Sequence, residues 1–312
     1  MAHLLAAEEL ARFGPGAPGA RPLSRDQAAA YCRRLARGHY ENFTVASWLL
    51  PRRLRPHFFA IYAYCRWADD LADETAGALE SLALLDWWQV ELERCYAGEA
   101  EHPVFVALAA TIREFSIPRE PFARLLAAFR QDQRVTRYAT PEDVLGYCQN
   151  SANPVGQLVL YLARCHDERR GELSDAICTG LQLANFCQDV ARDWTKGRVY
   201  LPQSTLVRAG YTEAMFARRE HNDAFRRAMR EEVDRAERYL RAGEPLVERM
   251  PRDLRLDVAL FVAGGLAVVR AIRELDYNVW RTRPTISKRK RLQLLAGCWW
   301  RSIRIPGREP RR

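Results

Sequence analysis

Tyr62-Ala-Tyr-Cys-Arg66-Trp-Ala-Asp69-Asp70-Leu-Ala-Asp73 is one of two stretches that decide the fold of this chain. The other is Gln182-Leu-Ala-Asn185-Phe-Cys-Gln188-Asp189-Val-Ala-Arg-Asp193. Each holds two carboxylates four residues apart, Asp69 with Asp73 and Asp189 with Asp193. On a helix, residues at i and i+4 share a face. Tyr62, Arg66, Asp69 and Asp73 are spaced 4, 3 and 4; Gln182, Asn185, Asp189 and Asp193 are spaced 3, 4 and 4. Both runs therefore predict a helix bearing a polar stripe, and both are flanked by apolar residues. Carboxylates in such surroundings are costly to bury unless a cation joins them. Hard cations such as Mg²⁺ take oxygen ligands and keep several waters, which suits carboxylates paired on such a stripe. A lone Asp-x-x-x-Asp is usually a solvated helix face. Two in one chain, each with non-acidic polar partners on its stripe, point to a cavity between helices, where bundles build metal sites.

Outward from these stretches the helical period continues. Helices are predicted near 26–38, 52–74, 79–97, 103–116, 119–132, 141–165, 174–194, 221–243, 251–281 and 287–301. Ser24-Arg-Asp-Gln27 reads as a capping box opening the first, and Thr140-Pro141-Glu-Asp143 as a second start signal with Pro at the first helical position. Pro154 should kink its helix. Strand signals are almost absent, so the expected fold is all-α. Residues 1–23, with the run Gly14-Pro-Gly-Ala-Pro-Gly-Ala-Arg-Pro22, should be loose. Residues 24–302 should form a single helical domain, and 303–312 a basic flexible tail.

Composition narrows the function. At 48% hydrophobic residues, 312 positions support a full core. The eight cysteines form no C-x-x-C pair and read as buried free thiols, and the six histidines lack metal-ligand spacing. Glu8, Glu9 and Arg12 break any signal-peptide apolar region, and the longest apolar run, near Val258–Val269, is too short to span a bilayer. A cytoplasmic location is expected, peripheral to the inner face of a membrane if the C-terminus docks there. The net charge of +9 is concentrated there: Arg281–Arg312 holds eleven Lys/Arg against Glu309 alone. With Trp299-Trp300 and Leu292, Leu294 and Leu295 beside it, this stretch fits an anionic membrane surface; a solvated tail is the equal alternative. It lacks any nucleic-acid-binding motif. No Gly-rich dinucleotide fingerprint occurs, so no NADPH is expected, and Gly264-Gly265 reads as close helix packing.

The paired motifs resemble the squalene/phytoene synthase family of head-to-head prenyl synthases over residues 26–292. The resemblance extends to Gly146-Tyr147-Cys-Gln-Asn-Ser-Ala-Asn-Pro-Val-Gly156 and the basic loop Gly197-Arg198-Val-Tyr-Leu-Pro202. It implies an isoprenoid-synthase-type helical bundle with a central apolar cavity. It also implies that Asp69, Asp70, Asp73, Asp189 and Asp193 hold Mg²⁺, and that Arg66 grips a prenyl diphosphate. Gln182 and Asn185 would line the cavity, and Arg198 would contact substrate. Ionising the C–O bond leaves a carbocation that apolar walls must shield and aromatic faces stabilise. Tyr62, Tyr147, Phe186 and Tyr277 are candidates for those faces, though aromatics at helical spacing are more often plain core.

Two departures sharpen the expectation. Condensing members carry an Arg where this chain has Gln188. Their Ser-rich, diphosphate-touching segment is here His39-Tyr40-Glu41-Asn42-Phe43-Thr-Val-Ala-Ser47-Trp48, in which Tyr40, Asn42 and Phe43 remain substrate-binding candidates. Both changes remove positive charge or donors, as suits an enzyme that holds one diphosphate instead of two. Together these segments resemble the hydroxysqualene synthase branch of bacterial hopanoid biosynthesis. That branch implies presqualene diphosphate and water going to hydroxysqualene and diphosphate. Gln188 then either helps place the quenching water or is a tolerated polar neighbour. The alternatives are a condensing synthase making presqualene diphosphate, squalene or phytoene, and a non-catalytic membrane-associated scaffold on the same fold.

Overall fold

Ser24 opens the first expected helix as its spacing requires. Its backbone N–H donates to Gln27 Oε1 at 2.9 Å, and the Gln27 N–H donates back to Ser24 Oγ at 3.3 Å. The computed structural model describes residues 2–17, 23–38, 50–73 and 77–304. Among these the chain is all-α, and the β-type pairing there is a single isolated bridge between Arg137 and Val199. The chain divides into two compact units, Met1–Arg134 and Val135–Arg312.

The first unit contains α1 (Ala2–Phe13), α2 (Arg25–Gly38), α3 (Arg55–Asp73), α4 (Ala78–Ala97), α5 (Pro103–Phe115) and α6 (Glu120–Asp132). The helix α1 corrects the expectation that residues 1–23 are all loose. The breakers begin only at Gly14, and the Ala- and Leu-rich run before them favours helix. It is tied down where Tyr31 donates its hydroxyl to Glu9 Oε2 at 2.8 Å and where Phe13 meets the Tyr31 ring edge-on.

Helix α3 packs against α2, α4, α5 and α6. Ala60, Ala63, Tyr64, Trp67, Ala68 and Leu71 recur at helical spacing and are buried. Tyr64 donates to the Phe122 carbonyl at 2.9 Å, and Trp67 donates to Tyr31 Oη at 3.0 Å. Each buried polar tip thus has a partner, as burial demands. Trp67 and Trp88 stack at 5.3 Å and 10°. The less buried face is the polar stripe, so apolar period and stripe are two sides of one helix.

The second unit contains α7 (Pro141–Ser151), α8 (Asn153–Leu162), α9 (Glu168–Thr195), α10 (Gln203–Ala209), α11 (Glu213–Ala217), α12 (Asp223–Gly243), α13 (Leu246–Arg249), α14 (Arg252–Glu274) and α15 (Lys288–Arg304). Helix α7 begins at the expected start signal, where Thr140 and Asp143 form a capping box with Pro141 in the first turn. The expected kink at Pro154 is instead a full break at Ala152: proline cannot donate to the preceding turn, and its ring displaces that carbonyl. Helix α9 starts earlier than 174 because Asp167 accepts from the Arg170 N–H at 2.7 Å and caps it. Helix α14 stops at Glu274 because Asp276 and Tyr277 adopt left-handed backbone, with φ of 49° and 62°.

Helix α9 packs against α7, α8, α12 and α14. Its closest seam is with α12. A Cβ on Gly180 would lie 2.8 Å from the Leu240 backbone nitrogen, so only glycine fits there. A Cβ on Gly265 would meet the Leu181 and Leu240 side chains at 2.9 Å, as the packing reading expects, whereas Gly264 has open space. Thr179 donates to Asn153 Oδ1 at 2.9 Å in a buried pair that pins α8 to α9. The eight cysteines are free, as the spacing implies.

Candidate functional site

In the first unit, the stripe on α3 is organised by Arg66. Its Nε donates to Asp70 Oδ2 at 3.1 Å while its Nη2 clasps Asp70 Oδ1, and its Nη1 lies 3.5 Å from Asp69 Oδ2. Desolvation opposes the Arg66 charge, but Asp70 and Asp69 outweigh it and hold its pKa above the ordinary value. Burial pushes the Tyr62 phenol up, against the pull of Arg66 one turn on. Asp69 is half-exposed and Asp73 is exposed, so these two carboxylates present the stripe to solvent. Asp70 is the more buried acid and is committed to Arg66.

In the second unit, Gln182 is half-buried, Asn185 is exposed, and Asp189 is mostly covered on the same helix. Asn185 donates to Asp189 Oδ2 at 3.3 Å. Burial, with Asp189 adding to it, pushes the Asp193 carboxyl up to about 7, while Lys196, Arg198 and Arg192 pull the other way. Arg198 stands close by, its N–H donating to the Asp193 carbonyl at 2.9 Å. Its loop is fixed when Val199 N–H donates to the Thr136 carbonyl at 2.9 Å and Arg137 donates to the Gly197 carbonyl at 2.6 Å.

Tyr147 and Phe186 are brought together. Both are buried, and they form a four-ring cluster with Tyr138 and Tyr200 in which Phe186 and Tyr200 stack at 4.0 Å and 6°. Tyr277 lies in the turn that closes α14, with the Arg230 guanidinium 5.9 Å from its ring centroid. Tyr40, Asn42 and Phe43 lie outside the described residues.

Sequence reasoning missed Arg283. Its Nε donates to Asp189 Oδ1 at 2.5 Å, and its Nη2 donates to Asp189 Oδ2 at 2.9 Å and to Gln188 Oε1 at 3.2 Å. Gln188 in turn donates its amide N–H to the Pro284 carbonyl. A cavity of about 410 Å³ elsewhere in this unit, lined by Arg241, Val262, Leu266, Arg270 and Leu294, contains none of the predicted site residues.

Among the described residues no group of three or more His, Cys, Asp or Glu side chains is placed to hold a metal ion, but the donors on each stripe are of the type that Mg²⁺ takes. Asp189 and Asp193 are hard oxygen donors close enough that their mutual repulsion raises the Asp193 pKa, which a cation would relieve. Asp69 and Asp73 are open to solvent on α3. Mg²⁺ takes one or two carboxylates and fills its remaining positions with water and phosphate oxygens.

The fold is that of the all-α isoprenoid synthases. The squalene/phytoene synthase family model matches residues 36–290, and the chain belongs to that family. It is 31% identical over 301 residues to the 15-cis-phytoene synthase of Synechocystis sp., covering 91% of this chain and 88% of that protein. To the 15-cis-phytoene synthase of Synechococcus elongatus it is 29% identical over 290 residues, covering 89% and 94%. Among solved structures, squalene synthase HpnC from Alicyclobacillus acidocaldarius superposes with a TM-score of 0.79 at 46% identity, covering 81% of this chain and 96% of that one. A ligand-bound dehydrosqualene synthase superposes at 0.80 with 23% identity, covering 89% and 97%, which shows the shared fold.

Proposed function

We propose that this chain is a hydroxysqualene synthase, converting presqualene diphosphate and water to hydroxysqualene and diphosphate. One observation carries the reading. Gln188, where condensing relatives are expected to carry Arg, is neutral, and its amide is spent on Pro284 and Arg283, so it offers no free cation to a second diphosphate. Identity to the squalene synthase HpnC exceeds that to the phytoene synthases, which supports a squalene-type over a phytoene-type carbon skeleton in the product.

Asp69, Asp73, Asp189 and Asp193 would hold Mg²⁺, while Asp70 fixes Arg66 next to the first pair. Bound there, the ion would neutralise charge as diphosphate leaves. Arg66 supplies a fixed guanidinium beside Asp69 and Asp70. The C–O bond breaks with its electron pair going to diphosphate. The cyclopropylcarbinyl cation rearranges, a water oxygen bonds to it, and that water loses a proton. No reductant is consumed. Tyr62 presents a partly buried phenol on the same stripe, where its ring can face positive charge. Asn185 and Gln182 orient polar groups along α9, and the buried rings of Tyr147 and Phe186 exclude stray water. The oily substrate also suits an enzyme resting on the inner face of a membrane through its basic C-terminal helix.

A condensing synthase is the second reading, favoured by the names of the phytoene synthase relatives. Incubating the enzyme and Mg²⁺ with presqualene diphosphate or with farnesyl diphosphate alone separates the two. Hydroxysqualene from the first and no coupled product from the second is the expected result. Coupling of farnesyl diphosphate, with no alcohol from presqualene diphosphate, overturns the proposal.

A further inference from the structure

The contacts around Asp189 form a closed exchange between two chain segments 94 to 96 residues apart. On one side stand Gln188 and Asp189 of α9; on the other, Arg283 and Pro284 of the irregular stretch between α14 and α15. Arg283 covers both Asp189 oxygens with a two-pronged fork and reaches the Gln188 carbonyl oxygen with the same Nη2. Gln188 returns a bond to Pro284, which is buried and anchors the stretch, while Arg281, Thr282 and Thr285 around it are exposed. Asn185 supplies a further donor to Asp189 Oδ2. Both oxygens of the carboxylate therefore have donors, and its side chain is only 12% exposed.

We infer that Arg283 is a resident counter-ion that keeps Asp189 paired until a metal displaces it, so that residues 283–284 latch onto α9 and metal binding undoes the latch. The inference rests on the reading of Asp189 as a Mg²⁺ ligand. Its first support is geometric: a cation bonded to either Asp189 oxygen must take the place of a guanidinium N–H. Its second is chemical. Position 188 must accept from Arg283 and donate to Pro284 at once, which an amide can do and a guanidinium cannot. An Arg there would add a second cation against Arg283 and remove its acceptor. The neutral Gln188 and the fork of Arg283 are thus two parts of one device. The segment acts as a positioning element: it touches the metal's ligand, not the metal.

The test is Mn²⁺ binding to the full chain, followed by electron paramagnetic resonance of the free ion, in wild type and four variants. Arg283→Gln should bind Mn²⁺ roughly 1.5- to 5-fold more tightly, the range for losing a partly exposed ion pair. Arg283→Lys keeps the charge but loses the fork, and should gain a smaller part of that increase. Arg281→Gln removes a neighbouring exposed charge and should leave binding unchanged. Asp189→Asn should lose a metal. Circular dichroism checks each fold; if Arg283→Gln does not fold, the Lys variant decides. Arg283→Lys binding as wild type, or Arg281→Gln gaining as much as Arg283→Gln, reduces the effect to a general field and overturns the latch. Mn²⁺ binding unaffected by Asp189→Asn overturns the metal reading beneath it, a separate and recognisable failure.

Discussion

Arg66 holds Asp70, four residues along the same helix, with two guanidinium nitrogens and reaches Asp69 with the third at 3.5 Å, and of the three acids of α3 Asp70 is the covered one while Asp69 and Asp73 reach solvent. That division predicts a graded response. Asp69→Asn and Asp73→Asn should lower Mg²⁺-dependent diphosphate release by roughly 100-fold or more, as loss of a metal ligand does. Helical circular dichroism should stay at the wild-type level, since neither side chain is buried in the core. Asp70→Asn should act differently, by loosening Arg66, and should raise KM for the diphosphate substrate more than it lowers kcat. Turnover unchanged in the Asp69 and Asp73 variants would remove the stripe from the chemistry.

The seam between α9 and α12 predicts a purely mechanical defect. Gly180→Ala puts a methyl group against the Leu240 backbone nitrogen, where neither helix can yield without moving the other. A loss of about 1–3 kcal/mol is expected from overpacking. Urea unfolding should show a lower midpoint with little change in slope. Gly264→Ala, made where nothing stands within 4 Å, is the control and should be neutral or slightly stabilising.

Asp257 on α14 is 4% exposed, and both its carboxylate oxygens are buried without a hydrogen-bond partner. Burial pushes its pKa up to about 7. A raised acid pKa means the folded state keeps a proton that the unfolded state releases. Stability should therefore fall as pH rises from about 4, the unfolded value, to about 7. The full effect is on the order of 4 kcal/mol by that linkage. Asp257→Asn cannot ionise, so it should flatten the pH dependence and be the more stable protein at pH 8. Parallel stability curves for the two proteins from pH 4 to pH 8 would show that Asp257 does not titrate in this range.

Helix α15 has two apolar sides. Leu294, Leu295 and Cys298 turn inward, the last bonding to the Ala259 carbonyl, while Leu292, Trp299 and Trp300 are 66%, 54% and 55% exposed. Lys288, Arg289, Lys290 and Arg291 are exposed at its start. No helix among the described residues is long and apolar enough to cross a membrane. Docking on anionic lipid predicts liposome co-sedimentation that weakens with salt. Trp299→Ala with Trp300→Ala should weaken it at every salt concentration. Equal binding to neutral liposomes, or none to either kind, would rule the docking out.

The stripes were legible because i, i+4 spacing is local. The core of α3 was legible for the same reason: Tyr64, Trp67 and Leu71 recur with the helical period. What lay beyond the sequence was any pairing between distant segments. Arg283 stood in a basic run whose charge density suggested a tail, and nothing local marks it as the partner of Asp189. Tyr200 lay inside the quoted loop Gly197–Pro202, but that loop drew notice for its cation, and only folding sets the tyrosine flat against Phe186. The break at Ala152 was half legible. Proline forecast a disturbance, but the pinning of α8 by Asn153 and Thr179 is a tertiary matter.

The stacked indoles of Trp67 and Trp88 make α3 optically self-reporting. Their transitions couple because the rings are parallel and close, and Trp67 belongs to the helix that presents Asp69 and Asp73. A tilt of that helix would alter the coupling, and with it the circular dichroism and emission of the pair. His102 stands edge-on to both rings, and burial lowers its pKa to about 3, so the imidazole stays neutral and its quenching does not vary across ordinary buffers. An ion arriving at the first stripe could thus be followed by light, without a label, at whatever pH the chemistry prefers.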